Sequence, residues 1–284
     1  MSDSPIRPPL GALAMALAAI VSIQAGAALA KILFPLVGAP GTVALRLGLG
    51  TLMLLAWLRP WRQWPARRDW RVLCIYGVAL AAMNSLFYLA LRSVPLGMAV
   101  ALEFTGPLAV AILGSRRPLD LLWAALALAG LLGLLPLGDQ AAAIDPLGAA
   151  CALGAGLCWA LYIVYGQRAG AAHGLGSVAL GSTLAAVLVV PVGAAHAGAA
   201  LLSPTVLPLG LAVALLSTAL PYTLEMAALA RLPARTFGIL QSLGPACATL
   251  AGLLVLGERP TLAQGVAIAA VVAASAGAAA GRSR

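Results

Sequence analysis

Four ionisable side chains interrupt segments that are otherwise almost wholly apolar: Lys31, Arg46, Glu103 and Glu225. A charge at the centre of a membrane costs about 2.5–3.5 kcal/mol on insertion scales, so such residues usually face the interior of a helix bundle or a water-filled cavity. A carboxylate there can bind an ammonium group, or it can take up and release a proton. An arginine can hold a carboxylate through paired N–H donors. The set suits a small zwitterion, although mutual pairing for structure alone would also account for it.

Three prolines lie inside apolar segments close to polar residues: Pro107, Pro221 and Pro245. Proline lacks the N–H that bonds the carbonyl four residues earlier. These three therefore leave the carbonyls of Glu103, Ser217 and Gln241 without a helical partner. Interrupted helix is tolerated at membrane depth where it is buried in protein or lines a cavity. A single proline commonly kinks a helix for packing alone, but three beside polar residues favour a cavity.

Further polar and aromatic residues on the same segments are candidates to line that cavity. Trp159, Tyr162 and Tyr165 recur every three residues, which places them roughly on one helix face, a pattern that more often serves packing than binding. Lys31 is the weakest candidate, because it lies near the end of its segment and can extend to the lipid headgroups. The cysteines form no CxxC pair, and nothing in the sequence predicts a metal or a cofactor. The remaining candidates are Gln24, Asn84, Tyr88, Ser217, Thr218, Tyr222 and Gln241.

The composition sets the class of protein that must position these residues. Of 284 residues, 62% are hydrophobic and only 9% are charged, whereas in a soluble domain about a quarter are charged. Apolar runs of about 18 residues or more recur along the chain, which predicts an all-α polytopic membrane protein. The net charge of +9 comes from arginines in short loops, which argues against nucleic-acid binding. Cutting at charges, prolines and polar clusters predicts ten transmembrane helices, over residues 10–33, 38–58, 72–91, 95–114, 119–137, 147–166, 175–196, 207–229, 236–256 and 261–280.

The distribution of basic residues predicts the orientation of the chain. Cytoplasmic loops of membrane proteins carry an excess of arginine and lysine. With the N- and C-termini cytoplasmic, most of the 17 basic residues lie on that side, and only Arg92 and Arg259 fall in outer loops. The cytoplasmic set is Arg7, Arg59, Arg62, Arg67, Arg68, Arg71, Arg116, Arg117, Arg168, Arg231, Arg235, Arg282 and Arg284.

An internal repeat divides the chain into two halves, residues 1–140 and 141–284. At an offset of 138, VPLGMAVALEFTGP lies over LPARTFGILQSLGP, so that Pro95 and Pro107 align with Pro233 and Pro245, and Glu103 aligns with Gln241. Five helices in each half would make the halves inverted in the membrane, as in many secondary transporters, where substrate binds near the midplane between the halves. Chance matching in a biased composition is the alternative.

The candidate residues lie in segments that resemble a known family over nearly the whole chain. The likeness is strongest in SIQAGAALAKILFPLVGAPG (22–41), VPLGMAVALEFTGPLAVA (94–111), ALGAGLCWALYI (152–163) and LSTALPYTLEMAALARLPARTFG (216–238). In these stretches the chain resembles the threonine/homoserine exporters of the EamA group, in the drug/metabolite transporter superfamily. The resemblance implies ten helices in two inverted EamA repeats, residence in the bacterial inner membrane, and export of small hydrophilic amino acids driven by proton-motive force.

One position departs from the pattern of that family. Relatives often carry an acidic residue immediately before the proline of the ninth helix, where this chain has Gly244. If that carboxylate takes part in coupling, Glu103 or Glu225 must take over its role here.

The predicted function is secondary active export of threonine- or homoserine-like amino acids by alternating access. The predicted partners are the amino acid, a proton and the lipid bilayer, and the predicted assembly is a monomer or weak dimer. Efflux of drugs, purines or other metabolites is the alternative within the superfamily. A membrane-embedded enzyme acting on lipids is a remote alternative, since the chain has no HExxH, GxSxG or P-loop sequence.

Overall fold

The structure is a computed structural model that describes residues 10–62, 64–113, 118–134, 145–229, 231–232 and 240–281. Within these ranges every regular element is helical. Short 3-10 turns cover Pro60–Arg62, Arg67–Asp69 and Gly198–Leu202, and a π-helical stretch covers Leu215–Ala219. The α-helices are α1 (Leu10–Ile32), α2 (Phe34–Leu58), α3 (Trp70–Ala90), α4 (Leu96–Glu103), α5 (Thr105–Leu113), α6 (Pro118–Leu134), α7 (Pro146–His173), α8 (Gly176–Ala197), α9 (Val206–Ala214), α10 (Leu220–Leu229), α11 (Gly244–Leu256) and α12 (Leu262–Gly281).

Six helical stretches in the described residues are long and apolar enough to cross a membrane. They agree with the first, second, third, sixth, seventh and eighth predicted helices, which confirms an all-helical, multi-pass protein. Shorter apolar helices at Leu96–Val110, Gly244–Leu256 and Leu262–Ala274 fall within the fourth, ninth and tenth predicted helices. The six are Leu10–Ile32, Phe34–Leu58, Trp70–Ala90, Pro146–His173, Gly176–Leu202 and Val206–Glu225.

The count of ten helices, the division into halves and the cytoplasmic termini stay predictions. Pro233, the end of the fifth predicted helix at 135–137 and the start of the ninth at 236–239 lie outside the described residues.

The outward faces of the helices are apolar. Leu52, Leu128, Val187 and Leu254 are each more than half exposed, and many other large apolar side chains are exposed with them. Soluble monomers rarely expose continuous apolar surface on this scale. These faces are therefore suited to contact with lipid, and polar residues are left to the interior.

Helices from the first part of the chain pack mainly against helices from the second part. α1 lies against α10 and α11, α2 against α8 and α9, and α3 against α7 and α8. α4 packs on α11 and α7, and α6 packs on α12. The core is therefore built between the two parts of the chain, and the polar residues of α1, α2 and α4 meet those of α10 and α11.

Contacts between connecting segments define one end of the bundle, which we call the Lys31 end. Lys31 Nζ, at the end of α1, lies 2.6 Å from Glu258 Oε1 in the connection between α11 and α12. Ser93, between α3 and α4, donates a hydrogen bond of 2.7 Å to Asp145 Oδ2, and the Asp145 carboxylate caps the start of α7. The connections that follow α1, α3, α6 and α11 thus meet at this end.

The opposite end, which we call the Arg59 end, is formed by the connection between α2 and α3 and by the end of α7. Asp69 Oδ2 lies 3.2 Å from His173 Nε2. Pro60 is buried and packs beside Gly176, the first residue of α8. The connection between α2 and α3 is therefore held against the bundle.

Candidate functional site

The π-helical stretch Leu215–Ala219 is an irregular point in the interior of the bundle. The Leu220 N–H bonds the carbonyl of Leu215, which leaves the Leu216 carbonyl without its α-helical partner. Pro221 has no N–H to offer the Ser217 carbonyl. Two successive carbonyls are thus free of the helix, and π-helical turns of this kind frequently occur at functional sites.

Side chains from α1 and α2 bind both of these carbonyls. Ser22 Oγ donates to the Leu216 carbonyl at 2.7 Å, and Arg46 Nη2 donates to the Ser217 carbonyl at 3.1 Å. The helices approach this closely because α1 has Gly26 here, where a Cβ would lie 3.0 Å from the Ser217 backbone nitrogen and would overlap its hydroxyl. The carbonyl that Pro221 was predicted to free is therefore bound by a cation from another helix.

Arg46 is fixed on two sides and still has a donor to offer. Its side chain is buried, with the residue 8% exposed. Nη1 donates to Tyr88 Oη at 3.3 Å, and the guanidinium carbon lies 5.4 Å from the centroid of the Tyr88 ring. Nε is buried and has no hydrogen-bond partner among the described residues. Because an unpaired buried donor is costly, this N–H is suited to binding a ligand.

Glu103 ends α4 at the break that precedes α5. The residue is 8% exposed, and its carboxylate lies within electrostatic range of Arg46. Its carbonyl, which Pro107 was predicted to free, lies against α7, where a Cβ on Gly156 would stand only 2.6 Å from that oxygen. The backbone of α7 therefore covers this carbonyl, and the carboxylate is the part of Glu103 that can meet a ligand.

Glu225 on α10 completes the charged groups of the interior. Its Oε1 accepts a hydrogen bond of 2.9 Å from Gln241 Nε2. Tyr222, one turn earlier, lies within electrostatic range of Arg46, Glu103 and Glu225 alike. We call Arg46, Tyr88, Glu103, Tyr222, Glu225 and Gln241 the central polar cluster; it joins one cation and two carboxylates from both parts of the chain.

Comparison with known proteins gives the family. The profile of the EamA-like transporter family matches residues 146–279. Over 261 residues the chain is 59% identical to the threonine/homoserine exporter RhtA of Escherichia coli (strain K12), which covers 92% of this chain and 88% of that protein. The chain belongs to the EamA-like transporter family. The RhtA protein of Salmonella typhimurium (strain LT2) gives the same identity and coverage for this transporter.

A solved crystal structure is similar to this transporter in fold. It is 23% identical in sequence, covers 94% of this chain and 97% of its own, and superposes with a TM-score of 0.61. With the family and the six apolar helices, these findings identify a multi-pass transporter of the bacterial inner membrane and not an enzyme.

Aromatic residues lie beside the central polar cluster of the transporter. Trp159 packs edge-on against Phe104 with 5.2 Å between ring centroids, and Tyr162 stacks on Tyr76 at 4.9 Å. Tyr162 also lies within electrostatic range of Glu225. Trp159 and Tyr162 were predicted from the sequence, whereas Phe104 and Tyr76 were missed because apolar helices carry many aromatic residues without a site.

Three other predicted residues have separate environments. Asn84 is buried and donates to a carbonyl of its own helix at 2.9 Å. Thr218 Oγ1 is buried and has no partner among the described residues. Gln24 Nε2 lies 3.7 Å from where a Cβ on Gly244 would stand. Gln24 therefore faces Gly244 at the start of α11.

Lys31 has its partner at the Lys31 end of the transporter rather than in the central polar cluster. Besides its ion pair with Glu258, Lys31 Nζ lies 3.4 Å from the Val94 carbonyl. Glu258 Oε2 accepts the Leu96 N–H at 2.8 Å, at the start of α4. One carboxylate thus ties α1, α4 and α11 together. Sequence reasoning missed Glu258 because a glutamate in a connecting segment is ordinarily solvated.

Proposed function

We propose that the transporter exports threonine- and homoserine-like amino acids from the cytoplasm by alternating access, in exchange for protons. The 59% identity to relatives named threonine/homoserine exporters supports the substrate class. The central polar cluster supports the binding of a zwitterion, since it combines a guanidinium with two carboxylates.

The observation that carries this proposal is the state of Arg46. Two of its nitrogens are bound to the Ser217 carbonyl and Tyr88, whereas Nε is buried and unpaired among the described residues. Arginine in a fixed orientation binds a carboxylate through parallel N–H bonds. We therefore assign the substrate carboxylate to the free side of the Arg46 guanidinium.

Glu103 and Glu225 are the proposed partners of the substrate ammonium group and of the proton. Glu103 accepts no hydrogen bond from the described residues, so its carboxylate is available to either. Glu225 is bound to Gln241, and its carboxylate lies within electrostatic range of Tyr222. A carboxylate that binds the ammonium group in one step and a proton in another would couple the two fluxes.

The proposed architecture is ten helices in two inverted halves, with both termini cytoplasmic. The helix contacts support this architecture, because each of the main contacts has an equivalent in which the two proposed halves change roles. α1 lies on α10 and α11 just as α7 lies on α3 and α4, and α6 pairs with α12. The same orientation places the Arg59 end in the cytoplasm and Lys31 at the outer face.

The test is uptake of labelled threonine into inside-out vesicles, with and without a pH gradient that is acidic in the lumen. Wild type should accumulate threonine only with the gradient. Glu103→Gln should bind threonine more weakly and should lose the response to the gradient. Normal gradient-driven uptake by Glu103→Gln would show that Glu103 does not couple the proton.

The carboxylate assignment has its own test with threoninamide, in which a neutral amide replaces the carboxylate. Threoninamide should compete poorly with labelled threonine in wild type. In Arg46→Met the KM for threonine should rise by tenfold or more, as expected for a lost charged hydrogen bond of about 1.5–3 kcal/mol, and the discrimination against threoninamide should fall. Arg92→Gln, which removes an exposed arginine between α3 and α4, is the matched control. Unchanged discrimination in Arg46→Met would refute the assignment.

A further inference from the structure

The connection between α2 and α3, taken with the helix ends that flank it, has a composition unlike that of any other loop. Residues 57–71 hold four of the six tryptophans of the protein together with five arginines and a single acidic residue, Asp69. We call residues 57–71 the tryptophan–arginine segment. Orientation in the membrane requires the positive charge but does not require the tryptophans.

The described residues of the tryptophan–arginine segment are held to the bundle at two points. It contains two 3-10 turns, Pro60–Arg62 and Arg67–Asp69. The Arg62 N–H bonds the Arg59 carbonyl at 3.1 Å, which brings these two arginines together. Pro60 is buried against α8, and Asp69 contacts His173, so the segment is fixed at both of its turns.

Both kinds of side chain in this segment remain open to the surroundings. Trp57, Trp61 and Trp64 are 74%, 55% and 67% exposed. Arg59 and Arg62 are exposed too, and neither has an acidic partner in the part of the chain that the structure describes. Three exposed indoles beside unpaired guanidinium groups fit neither water nor the hydrocarbon core. They fit the headgroup level of a membrane, where tryptophan is enriched and arginine meets phosphate.

We infer that the tryptophan–arginine segment is a binding site for anionic phospholipid headgroups at the Arg59 end of the transporter. Arg59 and Arg62 bind the phosphodiester, because a guanidinium donates paired N–H bonds to phosphate oxygens. The exposed indoles lie in the glycerol region beside it, and each offers one N–H. A zwitterionic lipid fits less well because its ammonium group faces the same arginines.

The test is quenching of tryptophan fluorescence in bilayers of fixed composition that carry a small fraction of brominated lipid. The probe is dibromo-phosphatidylglycerol, compared with dibromo-phosphatidylcholine at the same mole fraction. In wild type the anionic probe should quench more strongly. In R59Q/R62Q its preferential association should fall by about fivefold for each arginine removed, since each contributes about 1 kcal/mol near an anionic surface. The single variant R62Q should lose about fivefold.

The matched control is R92Q/R259Q, which removes two exposed arginines at the Lys31 end. It should keep the wild-type preference, because its net charge equals that of R59Q/R62Q while its tryptophan–arginine segment is intact. Equal quenching by both lipids in wild type would overturn the inference, as would retention of the preference in R59Q/R62Q or R62Q. An equal loss in R92Q/R259Q would show only a general charge effect and would also overturn it. None of these outcomes depends on transport.

Discussion

The predicted repeat aligns two glycines, Gly106 and Gly244, whose surroundings predict opposite results for the same substitution. A Cβ on Gly106 would overlap the Gly156 carbonyl oxygen and stand 2.6 Å from its carbon. These are backbone atoms of α7, so α5 and α7 must separate to accept a methyl group. A Cβ on Gly244 would meet nothing closer than Phe104 Cε2 at 3.4 Å, an ordinary contact.

The expected magnitudes follow from these distances. Overpacking a rigid contact costs about 1–3 kcal/mol, while replacing a helical glycine by alanine gains about 0.5–1 kcal/mol. Because the obstacle at Gly106 is backbone, we expect Gly106→Ala to lower the free energy of unfolding by about 2 kcal/mol. Gly244→Ala should leave it unchanged or raise it by up to about 1 kcal/mol.

The assay is the free energy of unfolding of the purified transporter, measured by titrating mild-detergent micelles with SDS. Gly265→Ala in α12 is the control for helix propensity alone, because a Cβ there would have no heavy atom within 4 Å. Gly244→Ala should match this control and Gly106→Ala should fall well below it. A difference of less than about 0.5 kcal/mol between Gly106→Ala and Gly244→Ala would refute the reasoning.

Two further predictions concern the Lys31 end. In a double-mutant cycle, Lys31→Met and Glu258→Gln should show a coupling of about 1–2 kcal/mol in the free energy of unfolding. This value lies between those for exposed and buried ion pairs, because the two side chains are 22% and 17% exposed. Additive losses in the double variant would contradict the ion pair. The Ser93 hydroxyl and the Gly148 N–H lower the pKa of Asp145. The stability that the Asp145 carboxylate contributes is therefore present above its unfolded pKa of about 3.9, and it is lost as the pH falls through the pKa in the folded protein. At neutral pH, Ser93→Ala should therefore have a lower melting temperature than wild type, and this difference should disappear below about pH 4. A difference in melting temperature that is independent of pH would contradict this.

Local chemistry along the chain predicted the interior of the transporter better than its ends. Pro221 alone indicates that the Ser217 carbonyl has no helical partner, and the structure places Arg46 on it. The same rule could not give the π-helical turn, in which the Leu220 N–H bonds the Leu215 carbonyl and leaves that of Leu216 free.

Partners distant in sequence were beyond prediction for the same reason. Periodicity indicates which residues share a helix face but not which helix lies opposite. Lys31 was therefore grouped with the interior charges, and its ion pair with Glu258, 227 residues away, was not predicted. Likewise, the repeat aligned Gln241 with Glu103, whereas the structure joins Gln241 to Glu225.

The packing of early helices against late ones has a consequence for how the protein is made. The Ser22 hydroxyl binds a carbonyl that lies 194 residues further along the chain and is synthesised later. At a synthesis rate of about 5–20 residues per second, α1 spends about 10–40 s in the bilayer before that partner exists. During this time Ser22, Gln24 and Lys31 face lipid or the membrane-insertion machinery. Truncated chains that lack α9–α11 should therefore be recognised as incomplete and degraded, because without the later helices the Ser22 hydroxyl has no partner carbonyl.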